Sequence, residues 1–204
     1  MRGSKALAAC YAGIAAASLW LRWATPLNVI GYAMHDDLLF VRLAHRLVAG
    51  QWLGAFDNLI LMKGIGYPLF IAAAYATGLP LKVAEQAVYL AAVGALARVV
   101  FRLTRSRTLA LVLFAGLAFN PVLWTTELSR VIREGLYIGL GVAIFALAAM
   151  VLLLRHDPPR PVVRRAAILL ALGFLCGVYW ITREERIWFI PVIAALIVGA
   201  GLQA

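Results

Sequence analysis

Acidic residues are scarce in this sequence, nine among 204 positions against nineteen lysines and arginines. Charged residues of both signs make up 14% of the chain, where a soluble domain carries about a quarter. With a mean hydropathy of +0.91, this excludes an ordinary water-soluble globule. Cysteine is nearly absent as well. Cys10 and Cys176 both fall in apolar runs, so no disulfide framework follows and both read as small packing residues. The sequence has no Walker loop, no dinucleotide glycine fingerprint, no HExxH and no GxSxG. No repeat recurs at a fixed period.

What fills the chain instead is apolar sequence in long blocks. Six segments, 6–23, 84–101, 108–124, 135–154, 166–181 and 187–202, have or approach the length needed to cross about 30 Å of hydrocarbon as a helix. They are apolar on all sides rather than alternating, which favours helices over a barrel. The expected fold is therefore all-α: a polytopic helical membrane protein of about six transmembrane helices, with residues 1–204 as one transmembrane module. The first run ends Trp20-Leu-Arg-Trp-Ala-Thr-Pro26, which lacks a small-residue cleavage site and reads as a retained span anchored by Trp20 and Trp23. A net charge of +10 does not indicate nucleic acid, because the basic residues punctuate the spans instead of forming one patch.

Their distribution orients the chain. With the N-terminus, Arg2 and Lys5 in the cytoplasm, the clusters Arg98–Arg107 and Arg155–Arg165 also fall inside, and six crossings return the C-terminus to the same side. Inside then lie ten basic residues and one acid, outside nine basic residues and eight acids. The basic excess sets orientation, whereas acids contribute little to it. Their gathering outside is separate information and marks the outer face as the place for chemistry. Residues 64–78 are apolar but short, with glycine at both ends and Pro68 inside. They are expected to form a re-entrant or surface helix that stays on the outer side. The expected location is the cell's inner (plasma) membrane.

The first outer loop, 24–82, carries adjacent carboxylates, Asp36 and Asp37, just beyond the first span. Carboxylates are costly in lipid, so both are expected wet, at a membrane–water boundary, able to take a proton from a hydroxyl or hold a divalent cation. Phe40, Leu43, Ala44, Leu47 and Val48 share one face at helical spacing, and Arg42, His45 and Arg46 another. That describes an amphipathic helix in the headgroup plane, ended by Gly50. The aspartates at its start suit the helix dipole, so plain capping competes with a functional role. Lys63 can contact a phosphate or simply snorkel to the headgroups. In the second outer loop, a helical reading would put Glu127, Arg130 and Glu134 on one face, either as a self-neutralising network or as a polar wall opposite the aspartates. In the third outer loop, Thr182-Arg-Glu-Glu-Arg186, the charges serve either as a stop between two spans or, through the planar forks of Arg183 and Arg186, to hold the phosphate of an anionic lipid head. Arg133 follows Arg130 one turn on in the second loop. His35, beside two acids, is weak evidence for a metal.

In order along the chain, these features resemble the GT-C superfamily of membrane glycosyltransferases. The likeness rests on Asp36-Asp37 after the first span, the helix ending Ala44-His-Arg-Leu47 and Gly50, and Lys63-Gly-Ile-Gly-Tyr-Pro68 opening a short apolar helix. It continues with the span ending in Arg98–Arg107, then Asn120-Pro121, the charged stretch to Glu134, and Thr182-Arg-Glu-Glu185. The resemblance implies inverting sugar transfer from a polyprenyl-phosphate donor to a glycan, lipid or protein acceptor. Asp36 and Asp37 are then the catalytic candidates, Asp36 slightly ahead as general base. Lys63, Arg130, Arg133 and Arg183 would bind the donor phosphate, and Glu127 and Glu134 would complete the polar wall. No metal ligand set is assigned, although a divalent cation is compatible with the pair. It also implies that this chain is an N-terminal membrane module of a longer type of enzyme. Two other classes compete: a transporter or lipid flippase, which would place ionisable groups near the bilayer midplane, and a non-catalytic membrane subunit.

Overall fold

The computed structural model describes residues 2–28, 36–52, 54, 63–154 and 162–183. Everything regular in them is helical apart from one isolated bridge between Asn28 and Arg130. Helix α1 is Arg2–Trp23, α2 Asp36–Val48, α3 Gly66–Ala76, α4 Leu81–Thr104, α5 Arg107–Ala118, α6 Glu134–Leu153 and α7 Val162–Thr182. A 3₁₀ turn, Pro121–Trp124, extends α5.

Four stretches are long and apolar enough to cross a membrane: Lys5–Trp23, Leu81–Thr104, Arg107–Trp124 and Glu134–Leu153. Their outward faces are bare of protein. Leu103, Val112 and Phe145 are at least half exposed, and on α7 so are Leu169, Leu170 and Phe174. Apolar surface of that extent is stable against acyl chains and not against water. The apolar part of α7, Ala166–Thr182, is about 25 Å long at 1.5 Å per residue, somewhat short of a full hydrocarbon core. The expected sixth span, 187–202, lies outside the described residues.

The short helices follow their punctuation. Helix α2 stops where Gly50 adopts φ +72°, because a left-handed residue lets the chain fold back on the last turn. Gly50 N–H then donates to the Leu47 carbonyl at 3.1 Å and Gln51 N–H to that of Arg46 at 2.9 Å, a paired closure of orphan carbonyls. Gly78 ends α3 in the same way, with bonds to Tyr75 and Ala74. At eleven residues, α3 is too short to span, as its sequence suggests.

Helix α4 is the hub. It packs most extensively on α6 and also touches α1, α3 and α5. The α4–α6 contact is close because α6 turns glycine toward it. A Cβ at Gly139 would lie 3.3 Å from the Tyr89 backbone, and one at Gly135 would overlap the Glu85 carboxylate. Gly135 and Gly139 thus form a small-xxx-small face, which lets helix backbones approach where lipid supplies no hydrophobic drive. Between α1, α4 and α5, Gln86 donates to Ser18 Oγ at 2.9 Å, and both Ser18 and Gln86 donate to the Ala118 carbonyl. One apolar cluster, including Tyr89, Val93, Phe114 and Leu123, fills this side. A second, including Phe40, Tyr67, Val131, Leu140 and Tyr179, seats α2 and α3 on α6 and α7.

Candidate functional site

Successive helical residues point roughly 100° apart, and the first turn of α2 uses this to separate its two carboxylates. Asp36 faces outward, with 43% of its side chain exposed, and Lys63 Nζ lies 2.9 Å from it. Asp37 faces inward, and its side chain is 4% exposed. The expectation that both acids are wet is therefore corrected for Asp37. Burial of that charge is possible because Arg130 donates two hydrogen bonds, Nη2 to Oδ1 at 2.7 Å and Nε to Oδ2 at 3.0 Å. Such a fork-to-fork pair satisfies a carboxylate in fixed geometry. The hydrogen bonds to Asp37 hold the Arg130 guanidinium above its ordinary value, so it remains a cation at every working pH.

Arg130 is aimed by backbone, not by a helix. Asn28 N–H donates to the Ser129 carbonyl at 3.0 Å, beside the Asn28–Arg130 bridge. The segment following α1 thus grips the loop that carries the arginine. The helical reading of 124–134 does not hold. Thr125 Oγ1 and backbone carbonyls are consumed in turns through residues 125–130, and α6 starts only at Glu134. Glu127, Arg130 and Glu134 consequently share no helix face. Glu127 is exposed, and Glu134 lies 3.6 Å from Arg183. The Arg183 guanidinium also sits over the Tyr137 ring at 5.1 Å, and Tyr137 stacks on Tyr179 at 4.3 Å. This unit fastens α6 to the end of α7. Arg133, 7% exposed, occupies the N-cap position of α6.

The structure therefore joins Asp36 to Lys63 and Asp37 to Arg130, and sets Arg183 with Glu134 in a separate pair. Lys63 owes its position to the two glycines that follow. A Cβ at Gly64 would collide with the Ile181 carbonyl, and one at Gly66 would lie 2.5 Å from Thr182 Oγ1. The Lys-Gly-Ile-Gly wording lets the end of α7 rest directly on this backbone.

Beneath the surface carboxylates is a group to which the sequence alone assigns no role. Tyr67 Oη donates to Glu85 Oε1 at 2.7 Å, and Lys82 Nζ to Glu85 Oε2 at 2.8 Å. Lys82 and Glu85 are 3% and 2% exposed. Glu85 rests over Gly135 at the start of α6, where helix N–H groups favour negative charge. Burial, then the Glu85 charge, pushes the Tyr67 phenol well above its ordinary value, so it stays a donor. Arg22, also buried, places its guanidinium 5.1 Å over the Trp124 ring. The available signal was a Lys and a Glu three residues apart inside an apolar 24-residue helix, since ionisable groups in such segments are rarely idle.

Among the described residues no three His, Cys, Asp or Glu side chains converge on one point, and Asp36 and Asp37 each face a cation, Lys63 and Arg130. His35, Asp57, Glu184 and Glu185 lie outside the described residues. Alongside the distal half of α2, an apolar groove of about 340 Å³ runs against α3, lined by Val41, Ala44, Val48, Ile71 and Tyr75. No protein-family model, curated protein or solved structure matches the chain.

Proposed function

We propose that this chain is the membrane module of an inverting glycosyltransferase that moves a sugar from a polyprenyl-phosphate donor to an acceptor hydroxyl at the outer face of the inner membrane. The observation that carries the reading is the division of labour between neighbouring carboxylates. Asp36 is reachable and held by a single lysine. Asp37 is buried and held at two points by Arg130. Asp36 is then the general base, and Asp37 is a positioning residue that fixes the start of α2. The acceptor hydroxyl gives its proton to Asp36 as its oxygen bonds to the anomeric carbon. The bond from that carbon to the phosphate oxygen breaks, and its electron pair leaves with the polyprenyl phosphate. Lys63 is the proposed cation for that phosphate. On donor binding it exchanges the Asp36 carboxylate for phosphate oxygens, which frees the base. Arg183 is the second candidate. Arg130 is committed to Asp37 and Arg133 is buried, so neither is assigned to the donor. The apolar groove between α2 and α3 suits the prenyl chain.

The proposed topology has six crossings and both termini in the cytoplasm, supported by the uneven distribution of basic residues. The test uses membranes bearing the chain, a labelled polyprenyl-phosphate sugar and an acceptor. Acceptor-dependent release of free polyprenyl phosphate is expected, with its loss in Asp36→Asn. Unchanged release in the Asp36→Asn and Asp37→Asn double variant rejects the assignment.

One observation favours the competing reading of a transporter or flippase: the buried Lys82–Glu85–Tyr67 group at the end of a span. Movement of an intact labelled lipid across vesicles, without cleavage, distinguishes that outcome.

A further inference from the structure

The end of the bundle opposite Asp36 and Asp37 holds a second cavity. It lies between α1, α4 and α5 and has a volume of about 410 Å³. Leu7, Tyr11, Gly94 and Phe101 line it with apolar surface, and Arg98 and Arg107 lie on its edge. The ring of Tyr11, one of the lining residues, packs edge-on to Phe114 at 4.9 Å, which fixes its place against α5. A Cβ at Gly94 would have one neighbour, Phe114 at 3.8 Å, so the absence of a side chain there leaves the groove open.

The two arginines meet because the α4–α5 turn is tight. Arg105 takes φ 59° and ends α4, and Ser106 at once caps α5 by accepting from Leu109 N–H at 3.2 Å. Arg107 therefore returns alongside the last turns of α4, close to Arg98. Both are exposed, and neither forms an ion pair with a described residue. Two like charges at the rim of one groove repel each other unless an anion sits between them. An apolar channel leading to two guanidinium groups with no counter-charge among the described residues matches an acyl chain below a phosphate. Basic pockets between helices at a membrane surface recognise anionic head groups in this way.

We propose that this groove binds one anionic phospholipid, with its phosphodiester between Arg98 and Arg107 and an acyl chain along Tyr11, Gly94 and Phe101. The site is separate from the proposed sugar-transfer site and stands or falls independently of it.

The test is native mass spectrometry of the full chain in neutral detergent. It is given equal amounts of phosphatidylglycerol and phosphatidylcholine with identical acyl chains. Preferential retention of one phosphatidylglycerol is expected. Arg98→Gln with Arg107→Gln should lower that retention about tenfold or more. Gly94→Leu, which fills the groove and leaves the charge alone, should lower it as well. Lys5→Gln with Arg105→Gln removes two charges at the same end but off the groove, and should retain the lipid. Equal retention of the two lipids overturns the proposal, as does an unaffected Arg98/Arg107 variant. Equal loss in the Lys5/Arg105 control would mean diffuse charge attraction and also overturns it. So does full competition by glycerol phosphate, which would make the ligand a free phosphate. A chain dimer that the groove variants dissolve would make a second copy the occupant, again against the proposal.

Discussion

Arg130 and Asp37, 93 residues apart in sequence, close a two-point hydrogen-bonded ring, with contacts of 2.7 and 3.0 Å. The pair joins the start of α2 to the loop before α6. Because Asn28 grips the same loop, it also ties in the end of the first span.

Removal of one partner should therefore be felt as instability. Arg130→Ala leaves the Asp37 carboxylate buried without a counter-cation. We expect a loss of about 3 kcal/mol, the lower end for broken buried pairs, since the arginine is itself partly exposed. Arg130→Lys keeps the charge but loses the fork and should fall between. Thermal denaturation of the purified protein, with Asp37→Asn completing a double-mutant cycle, measures the coupling.

The neighbouring aspartates should respond differently to the same change. Asp36→Asn is expected to leave the midpoint of thermal unfolding within a degree or two while lowering sugar transfer by about a hundredfold or more, the scale of general-base catalysis. Asp37→Asn should lower the midpoint clearly. Equal effects of both variants on stability and turnover would contradict the separation of base from positioning residue.

The glycines provide a graded test of packing. Gly66→Ala meets Thr182 Oγ1 and the Ile181 backbone, and Gly135→Ala meets the Glu85 carboxylate. Each should cost about 1–3 kcal/mol by overpacking. Gly116→Ala has nothing within 4 Å of its added methyl group. It should be neutral or gain up to about 1 kcal/mol from the helix preference for alanine. Unfolding midpoints of the three variants give the ranking.

Orientation is tested by accessibility. In a background of Cys10→Ser and Cys176→Ser, Trp52→Cys should react with an impermeant thiol reagent added outside intact cells, and Arg105→Cys only after lysis. Both native side chains are exposed, so burial does not confound the result. The reverse pattern inverts the proposed topology.

The spans were readable because bilayer thickness acts on composition alone: a run of apolar residues of sufficient length is its own evidence. The expected runs 6–23, 84–101 and 135–154 fall within or nearly within α1, α4 and α6. Helix α2 was equally legible, since a helical period of Phe40, Leu43 and Ala44 stopped by Gly50 is a local signal. The Thr125–Arg133 stretch misled, because alternating charge at helical spacing also fits a chain of turns. The burial of Lys82 and Glu85 was not legible, because a charge next to a span boundary looks the same in sequence whether water or a neighbouring helix covers it.

The amino-acid sequence by itself determined that this chain is helical, apolar and punctuated by basic residues, and that two acids stand at the head of an amphipathic helix. Composition and period are local properties, which no distant contact can alter. Only the tertiary structure decided that Asp36 meets Lys63 while Asp37 turns inward to Arg130, and that Glu85 settles on Gly135 between Tyr67 and Lys82. Those pairings depend on the directions in which loops return over the bundle. A buried charge is stable only where such a return brings it a partner.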